Sequence, residues 1–465
     1  MKWNQLLSTV RIRSTFGGTD SIRSPGDPRT EFERDYGRSV FSAPVRRLQD
    51  KAQVYPLEQH DAVRTRLTHS MEVSSVARGL ARSLATWLHK ERGELTAENI
   101  PAVESIAATC GMIHDLGNPP FGHAGETAIA EWFASTFEKS CPFGKETQYA
   151  KDFLKWDGNA QTIRLVGRLQ VLSDDFGLNL TCGTMSAALK YTVPSHQVDN
   201  TKTYQEKKKP GYFASEEDLV QKIRDQVATG DARNPLTYIV EASDDIVYSA
   251  VDLEDGVKKR ALRWSELESA LTQRLGKDHP HLSKALELTI KKGGGSTPGL
   301  DRDEALVQAF RTYAINEFVV SVDQEFRKQY ELIIEGKYHG ELTADCSAAA
   351  MMKACKDIAR DVVYKSKEVL SIELTGRRII QDLLNIFWEA ARTGGPDTDH
   401  KTFAGKAYLI MSSNYRTVFE ARLKQVREKQ TVIPEEYFRI QLACDYVAGM
   451  TDSFAASLHR KLTYA

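Results

Sequence analysis

The sequence lacks the usual marks of a membrane or secreted protein. No apolar run approaches the ~20 residues that a bilayer-spanning helix needs, and residues 1–18 hold no apolar segment followed by a small-residue cleavage site. The six cysteines are scattered and form no C-x-x-C pair, so neither a disulfide framework nor a zinc–thiolate site is indicated. We therefore expect a cytoplasmic protein with reduced, buried thiols.

The sequence also lacks an excess of charge of either sign. Lys and Arg number 62 and Asp and Glu number 63, which gives a net charge of -1. This balance does not indicate a nucleic-acid-binding protein, although a local basic groove can occur in a chain with balanced total charge. With 41% hydrophobic and 27% charged residues, the composition is typical of a globular protein and excludes wholesale disorder. The 465 residues suffice for two or three domains or for one large helical domain.

Apolar residues recur at helical spacing along most of the chain, whereas strands with period-two alternation are scarce. In segment 71–91, for example, Val73, Val76, Leu80 and Leu84 follow one another in steps of three and four and share one side of a helix. The Gly-rich run at 291–299 predicts a boundary between a core of residues 1–290, with an N-terminal arm, and a helical subdomain of residues 300–465. An all-α fold is predicted, with further helices at 101–116, 123–138, 161–173, 236–252, 303–335, 348–374, 376–392, 403–427 and 434–462.

Two histidines and two aspartates are candidate metal ligands: His69, His114, Asp115 and Asp244. The apolar run 106–113 carries His114 and Asp115 to a helix end, where Gly-Asn-Pro-Pro stops the helix. A charge beside the core is unfavourable without a partner, and a bound cation would provide one. The mixed nitrogen and oxygen donors suit Mn²⁺, Fe²⁺, Co²⁺ or Mg²⁺. Taken singly, each residue has a structural alternative, namely a hydrogen-bonded histidine, a helix-capping aspartate or an aspartate paired with arginine.

Six sequence blocks around and beyond these residues resemble one family. The blocks are RRLQDKAQV (46–54), RTRLTHSMEV (64–73), HDLGNPPFGHAGE (114–126), DGNAQTIR (157–164), EASDDIVYSAVDLEDG (241–256) and DYVAGMTDSFA (445–455). They are similar to the bacterial deoxyguanosinetriphosphate triphosphohydrolases of the HD-domain superfamily, stand in the family's order and span nearly the whole chain. The resemblance implies an all-α HD-domain core with an additional helical C-terminal region.

The resemblance implies a reaction and the residues that perform it. The expected reaction is hydrolysis of a deoxynucleoside triphosphate, with dGTP favoured, at the α-phosphorus, which releases the deoxynucleoside and inorganic triphosphate. The four candidate ligands match the family's site for a divalent metal ion, Mn²⁺ or Mg²⁺ and otherwise Co²⁺ or Fe²⁺. His123 and Glu126 match its second catalytic pair, and their spacing of three residues places them on one side of a helix. The alternative is that His123 caps this helix and Glu126 is an exposed acid of its first turn.

A third residue near this pair, Asn118, departs from a related pattern. In the vertebrate dNTP triphosphohydrolase with a sterile alpha motif, a histidine stands at the position that matches Asn118. Asparagine can donate a hydrogen bond to phosphate but does not exchange a proton near neutral pH. Acid–base catalysis is therefore expected to fall more heavily on His123.

The resemblance also implies substrate contacts. Tyr248 and Asp252 follow Asp244 at i+4 and i+8 and so share its side of one helix; they match the family's sugar contacts, together with Gln53. A tyrosine ring against C2′ would exclude a ribonucleotide. The alternative is that Tyr248 is a core aromatic and Asp252 a surface charge. A triphosphate needs cations, and the candidates, each otherwise a solvated surface charge, are Arg46, Arg66, Lys190 beside Tyr191, Lys209 beside Tyr212, and Arg416.

Two other functions stay open. An HD-type nucleotidase or cyclic-nucleotide phosphodiesterase is disfavoured because those enzymes lack the HAGE sequence at 123–126 and the Tyr248/Asp252 block. A protein that senses a dNTP or binds single-stranded DNA receives modest support from basic residues in 11–18 and 202–210. Family members are controlled by nucleotides or single-stranded DNA, and many are hexamers or other oligomers. The resemblance therefore also implies an effector and a homo-oligomer.

Overall fold

The computed structural model describes residues 1–19, 26–57, 63–170, 174, 176–199, 201, 203–293 and 302–463. Within these ranges the secondary structure is helical, and the β-structure is limited to isolated bridges between residue pairs. The prediction of an all-α fold is confirmed. The α-helices are α1 (Trp3–Leu6), α2 (Ile12–Thr15), α3 (Glu31–Val40), α4 (Ala43–Arg47), α5 (Arg66–Trp87), α6 (Ile100–Ile113), α7 (Gly122–Lys139), α8 (Gln148–Leu154), α9 (Gly158–Arg164), α10 (Cys182–Ala188), α11 (Glu217–Val227), α12 (Pro235–Lys258), α13 (Trp264–Leu275), α14 (Pro280–Gly293), α15 (Arg302–Ile334), α16 (Leu342–Asp345), α17 (Ala349–Ile358), α18 (Lys367–Thr393), α19 (Phe403–Ile410), α20 (Ser413–Arg427), α21 (Glu435–Ala448) and α22 (Asp452–Thr463).

Three long predicted helices are each divided in two. Segment 348–374 is interrupted after a π-helical turn at Ala359–Val363, because Ser366 accepts a hydrogen bond from the Val369 N–H and starts α18. Segment 403–427 is interrupted at Met411 and Ser412, and segment 434–462 between α21 and α22. Apolar periodicity continues across such breaks, so the periodicity alone does not reveal them.

Helices α5, α6 and α12 pack against one another and form the scaffold of the site. Helix α5 begins at a capping box in which the Thr65 and Thr68 side chains bond each other's backbone N–H. Asn234 is the N-cap of helix α12, and its side chain accepts a hydrogen bond from the Leu236 N–H. Pro235 follows as the first residue of the helix. These caps fix where each helix starts and therefore which residues face the neighbouring helices.

Buried apolar residues form two main clusters, and each draws on both halves of the chain. One cluster contains Leu236 together with Phe318, and the other contains Phe133 together with Phe387. Residues from both sides of the proposed boundary at 291–299 thus share each cluster. Positions 294–300 lie outside the described residues, and the division into two domains stays a prediction.

The six cysteines all lie within the described ranges, where none of them forms a disulfide bond, and all except Cys141 are buried. Across the described ranges, none of the helices combines the length and the apolar character needed to cross a membrane.

Candidate active site

Three helices bring the four predicted metal ligands together. His69 lies in the first turn of α5, Asp244 lies within α12, and His114 and Asp115 directly follow α6. Ligand atoms of His69, His114 and Asp115 lie within 4.8 Å of one another. Asp244 Oδ1 is 3.0 Å from His69 Nε2 and 3.5 Å from His114 Nε2. The four side chains thus converge on one small region.

The orientation of His114 suits a cation. Its Nδ1 donates a hydrogen bond to the Gly111 carbonyl at 2.7 Å, so the lone pair of the neutral ring lies on Nε2. This Nε2 is buried and has no hydrogen-bond partner among the described residues. When the ring is neutral, Nε2 is a buried acceptor without a partner, which is unfavourable, and histidine ligands of metals commonly donate their other nitrogen to a carbonyl. The residues present therefore fit a divalent metal ion.

The charges of the cluster favour the ionised carboxylates. Burial acts to raise the pKa of Asp115, but Arg66 and His114 outweigh it and hold that pKa at about 2. Burial acts the same way on Asp244, yet His114 and His69 hold its pKa well below the usual range. For His114, burial acts to lower the pKa, while the two carboxylates raise it to about 9. A metal ion therefore binds in competition with a proton on His114.

Asp115 is also held by two donors from the protein. Arg66 Nη1 donates to Asp115 Oδ2, and Asn118 Nδ2 donates to Oδ1 at 2.6 Å. The arginine partner considered as an alternative to a metal is thus present beside the cluster. A carboxylate offers about four lone-pair positions, so Asp115 can keep both donors and still face a cation.

His123 and Glu126 form a pair at the start of α7. His123 Nδ1 is 3.0 Å from Glu126 Oε2, and the Gly158 N–H donates to Glu126 Oε1 at 3.0 Å. The His123 side chain is 88% exposed and lines the cavity described below. Its hydrogen bond to Glu126 raises the pKa of His123. The N-cap of α7 is Phe121, so the capping position considered for His123 belongs to another residue.

A cavity of about 650 Å³ opens beside the cluster. This volume lies within the range of about 300–1,000 Å³ found for small-molecule sites. His69 is fully buried behind the lining. The predicted site residues that line the cavity are Gln53, Arg66, His114, Asp115, Asn118, His123, Glu126, Lys190, Tyr191, Lys209, Asp244, Tyr248 and Asp252.

The cavity lining offers acceptors to a hydroxyl group. Gln53 Oε1 and Asp252 Oδ1 are buried and have no hydrogen-bond partner among the described residues. Tyr364 also lines the cavity and donates its hydroxyl to Asp252 Oδ2. Burial raises the pKa of Asp252 to about 7, although the Tyr364 hydrogen bond opposes this rise. Tyr248 also lines the cavity, and Lys356 Nζ lies 4.9 Å from the centroid of its ring.

The predicted lysines reach the cavity but are paired with acids. Lys209 Nζ is 2.6 Å from Asp157 Oδ2, and Lys190 Nζ is 3.8 Å from Glu241 Oε1. Tyr191 is almost fully buried and contributes to the wall. With Arg66, these two lysines give the lining three of its four Lys and Arg side chains, and Lys208 is the fourth.

Besides His69, three predicted residues lie outside the cavity lining. Arg46 is exposed and donates to the Phe41 carbonyl at 2.7 Å. Tyr212 is buried with the Arg224 guanidinium 5.7 Å from its ring centroid. Arg416 stacks over a tyrosine ring at 5.4 Å. The structure does not bring these side chains to the site, because each is already packed against a neighbour elsewhere.

Sequence reasoning missed cavity residues contributed by the chain around the start of α18. Tyr364, Val369 and Glu373 line the cavity, and Tyr364 is 112 positions from its partner Asp252. No motif marks these residues, so only the tertiary fold reveals them.

Comparison with known proteins agrees with this geometry. The HD domain family matches residues 66–163, and the phosphohydrolase-associated domain family matches residues 410–461. A deoxyguanosinetriphosphate triphosphohydrolase-like protein of Listeria innocua is 34% identical to this chain over 99% of both chains. The deoxyguanosinetriphosphate triphosphohydrolase of Serratia proteamaculans is 33% identical over 94% of both chains, and that of Yersinia enterocolitica is 31% identical over 98% of both chains.

The chain belongs to the deoxyguanosinetriphosphate triphosphohydrolase family. Its HD domain contains His69, His114 and Asp115, three residues of the cluster described above. As a member of this family the chain is a hydrolase, and a divalent metal ion belongs to its HD site.

Proposed function

We propose that this family member hydrolyses deoxynucleoside triphosphates, with dGTP preferred, to the deoxynucleoside and inorganic triphosphate. One observation carries the proposal. A single cavity joins the ligand cluster, the His123–Glu126 pair, four cations and acceptors for a hydroxyl group. A triphosphate attached to a sugar is a ligand that needs all four features.

His69, His114, Asp115 and Asp244 would hold the metal ion. When bound, the ion supplies Lewis-acid polarisation of an α-phosphate oxygen and stabilises the charge that develops there. We propose Mn²⁺ or Mg²⁺ as the working ion, while the donor set also suits Co²⁺ and Fe²⁺. Arg66, with Lys190 and Lys209, would balance the triphosphate charge.

His123 is proposed to supply the proton that the leaving group needs. Water forms a bond to the α-phosphorus and releases a proton to solvent. The bond between phosphorus and O5′ breaks, its electron pair stays on O5′, and O5′ takes a proton from His123 Nε2, which is reprotonated from solvent after turnover. Glu126 holds Nδ1 and so leaves Nε2 for the substrate. Asn118 cannot exchange a proton near neutral pH, and its bond to Asp115 supports a positioning role.

The sugar and base are proposed to lie toward Tyr248. Gln53 and Asp252 would accept from the 3′-hydroxyl, and the Tyr248 ring would exclude a 2′-hydroxyl. Glu373 also lines the cavity, and a carboxylate can accept from both the N1–H and the 2-amino group of guanine. This pairing is the proposed reason for a dGTP preference.

The family resemblance supports further proposals. We propose a homo-oligomer, such as a hexamer, that works in the cytoplasm and responds to a dNTP or single-stranded DNA effector. The proposed division of the chain is an HD core of residues 1–290 with a C-terminal subdomain of residues 300–465.

Product analysis tests the proposed reaction. The purified protein with Mn²⁺ is incubated with each of the four dNTPs, singly and in mixtures, and products are separated by anion-exchange chromatography. Deoxyguanosine and triphosphate are expected from dGTP, whereas dGMP and pyrophosphate would reject the chemistry. Asp115→Ala should abolish turnover while its circular dichroism spectrum stays that of the wild type. Turnover that requires a second dNTP or an oligonucleotide would favour a nucleotide-sensing protein instead.

A further inference from the structure

The block 445–455 resembles the family but contributes no residue to the cavity lining. It contains the end of α21 and the start of α22, and we name residues 445–452 the C-terminal clamp. Its last residue, Asp452, is 2% exposed. Asp452 Oδ1 accepts from the Phe121 N–H at 2.9 Å, and Oδ2 accepts from the Ala52 N–H at 3.0 Å. The two oxygens of one buried carboxylate therefore accept hydrogen bonds from the backbone of two other segments, one segment for each oxygen.

These two backbone groups adjoin the proposed chemistry. Ala52 immediately precedes Gln53, and Phe121 lies two residues before His123. Phe121 has a φ of 63°, in the left-handed region that bulky residues rarely adopt. Such a conformation persists only where the surroundings fix it, and the bond to Asp452 is one contact that fixes it. The backbone conformation of Phe121 sets the direction of α7, and this direction determines the positions of His123 and Glu126.

Two further contacts join the C-terminal clamp to the same loop and to α9. Lys51 Nζ donates to the Ala448 carbonyl at 3.1 Å and also to the Asn118 carbonyl. Asp445 accepts from Gln161 at 3.0 Å and from two nitrogens of Arg164 at 2.7–3.0 Å. These bonds hold α9, whose first N–H is the donor to Glu126 Oε1. The clamp therefore reaches both members of the His123–Glu126 pair without touching the cavity.

We propose that Asp452 is a positioning residue that acts through His123, and that the C-terminal clamp sets the geometry of the His123–Glu126 pair. The inference rests on the proposed function. A carboxylate that accepts from two N–H groups makes charge-assisted hydrogen bonds to both. An asparagine of the same shape has a single acceptor oxygen and would turn an amino group toward one of the two N–H groups.

The test compares Asp452→Asn with Asp35→Asn as the matched control. Asp35 is also fully buried and accepts from a backbone N–H, that of Thr181 at 2.9 Å, but it does not line the cavity. For Asp452→Asn we expect kcat for dGTP to fall about tenfold or more, since small misplacements of catalytic groups have large effects. Mn²⁺ affinity, measured by isothermal titration calorimetry, should stay within about twofold, because Asp452 touches no ligand of the cluster. The control should lose thermal stability while its kcat stays within about twofold.

A double-mutant cycle separates positioning from general damage. In the His123→Ala background, Asp452→Asn should lower the residual rate less than about twofold, because the group it positions is already gone. A full tenfold loss in that background, or a wild-type kcat in the single Asp452→Asn variant, would overturn the inference while leaving the proposed function intact. A wild-type protein that releases no triphosphate from any dNTP would refute the proposed function and the inference with it.

Discussion

Gly158→Ala is a sharp test of the site geometry, because Gly158 has no side chain and no chemistry of its own. It is the first residue of α9, and its N–H donates to Glu126 Oε1 at 3.0 Å. A Cβ built at this position would lie 2.9 Å from Glu126 Oε1 and still closer to Asn118 Oδ1. Carbon–oxygen contacts need more than about 3.2 Å, so the Asn118 side chain must move by roughly 1 Å and that of Glu126 by roughly 0.3 Å. Since a 1 Å misplacement can cost about 10²-fold in rate, we expect kcat for dGTP to fall by about that factor.

Gly79→Ala is the matched control for this variant. Gly79 lies within α5, and a Cβ there would meet nothing within 4 Å. The control should keep its kcat and gain about 0.5–1 kcal/mol in the free energy of unfolding, because alanine is the better helix former. Steady-state kinetics with thermal denaturation distinguishes the two variants. A Gly158→Ala protein that retains kcat within threefold would refute the placement of Asn118 and Glu126.

Three further predictions concern the proton donor, the metal and the sugar. Glu126→Gln removes the carboxylate that raises the pKa of His123, so the imidazolium is lost at lower pH and the alkaline limb of the kcat/KM profile for dGTP should shift to lower pH; an unshifted limb would argue against His123 as the acid. At a Mn²⁺ concentration 100 times Kd, binding should raise the free energy of unfolding by about 2.7 kcal/mol. Thermal scans should show this rise vanishing in Asp244→Asn and persisting in Asp245→Asn, whose native carboxylate pairs with a lysine at 2.8 Å; equal behaviour of the two variants would contradict the ligand assignment. Tyr248→Ala should lower the ratio of kcat/KM for dGTP over GTP about tenfold or more, and a ratio that stays constant would exclude the ring as the barrier to ribonucleotides.

The sequence was informative wherever a motif and a helical period coincide. The apolar run before His114 predicted a helix that ends at the pair, and α6 does end at Ile113. The i+4 and i+8 spacing of Tyr248 and Asp252 from Asp244 predicted a shared helix side, and all three line one cavity. Such relations are local, so they follow from the chain before any tertiary contact is known.

Contacts between segments that are far apart in the chain could not be predicted from the sequence. Arg46 was expected at the substrate, yet its guanidinium bonds the carbonyl of Phe41 five positions away. Tyr364 was not expected there, because its bond to Asp252 spans 112 positions. The role inferred for Asp452 likewise depends on contacts 331 and 400 positions away. The apolar periodicity of a sequence does not show which helix ends meet in the folded protein.

The most direct test of the central claim uses water labelled with ¹⁸O. Under single-turnover conditions with Mn²⁺ and dGTP, attack of water on the α-phosphorus with cleavage of the bond to O5′ places one labelled oxygen in the triphosphate and none in deoxyguanosine, as mass spectrometry of the separated products can show. Label in the 5′-hydroxyl of deoxyguanosine, or label in dGMP or pyrophosphate, would contradict the account.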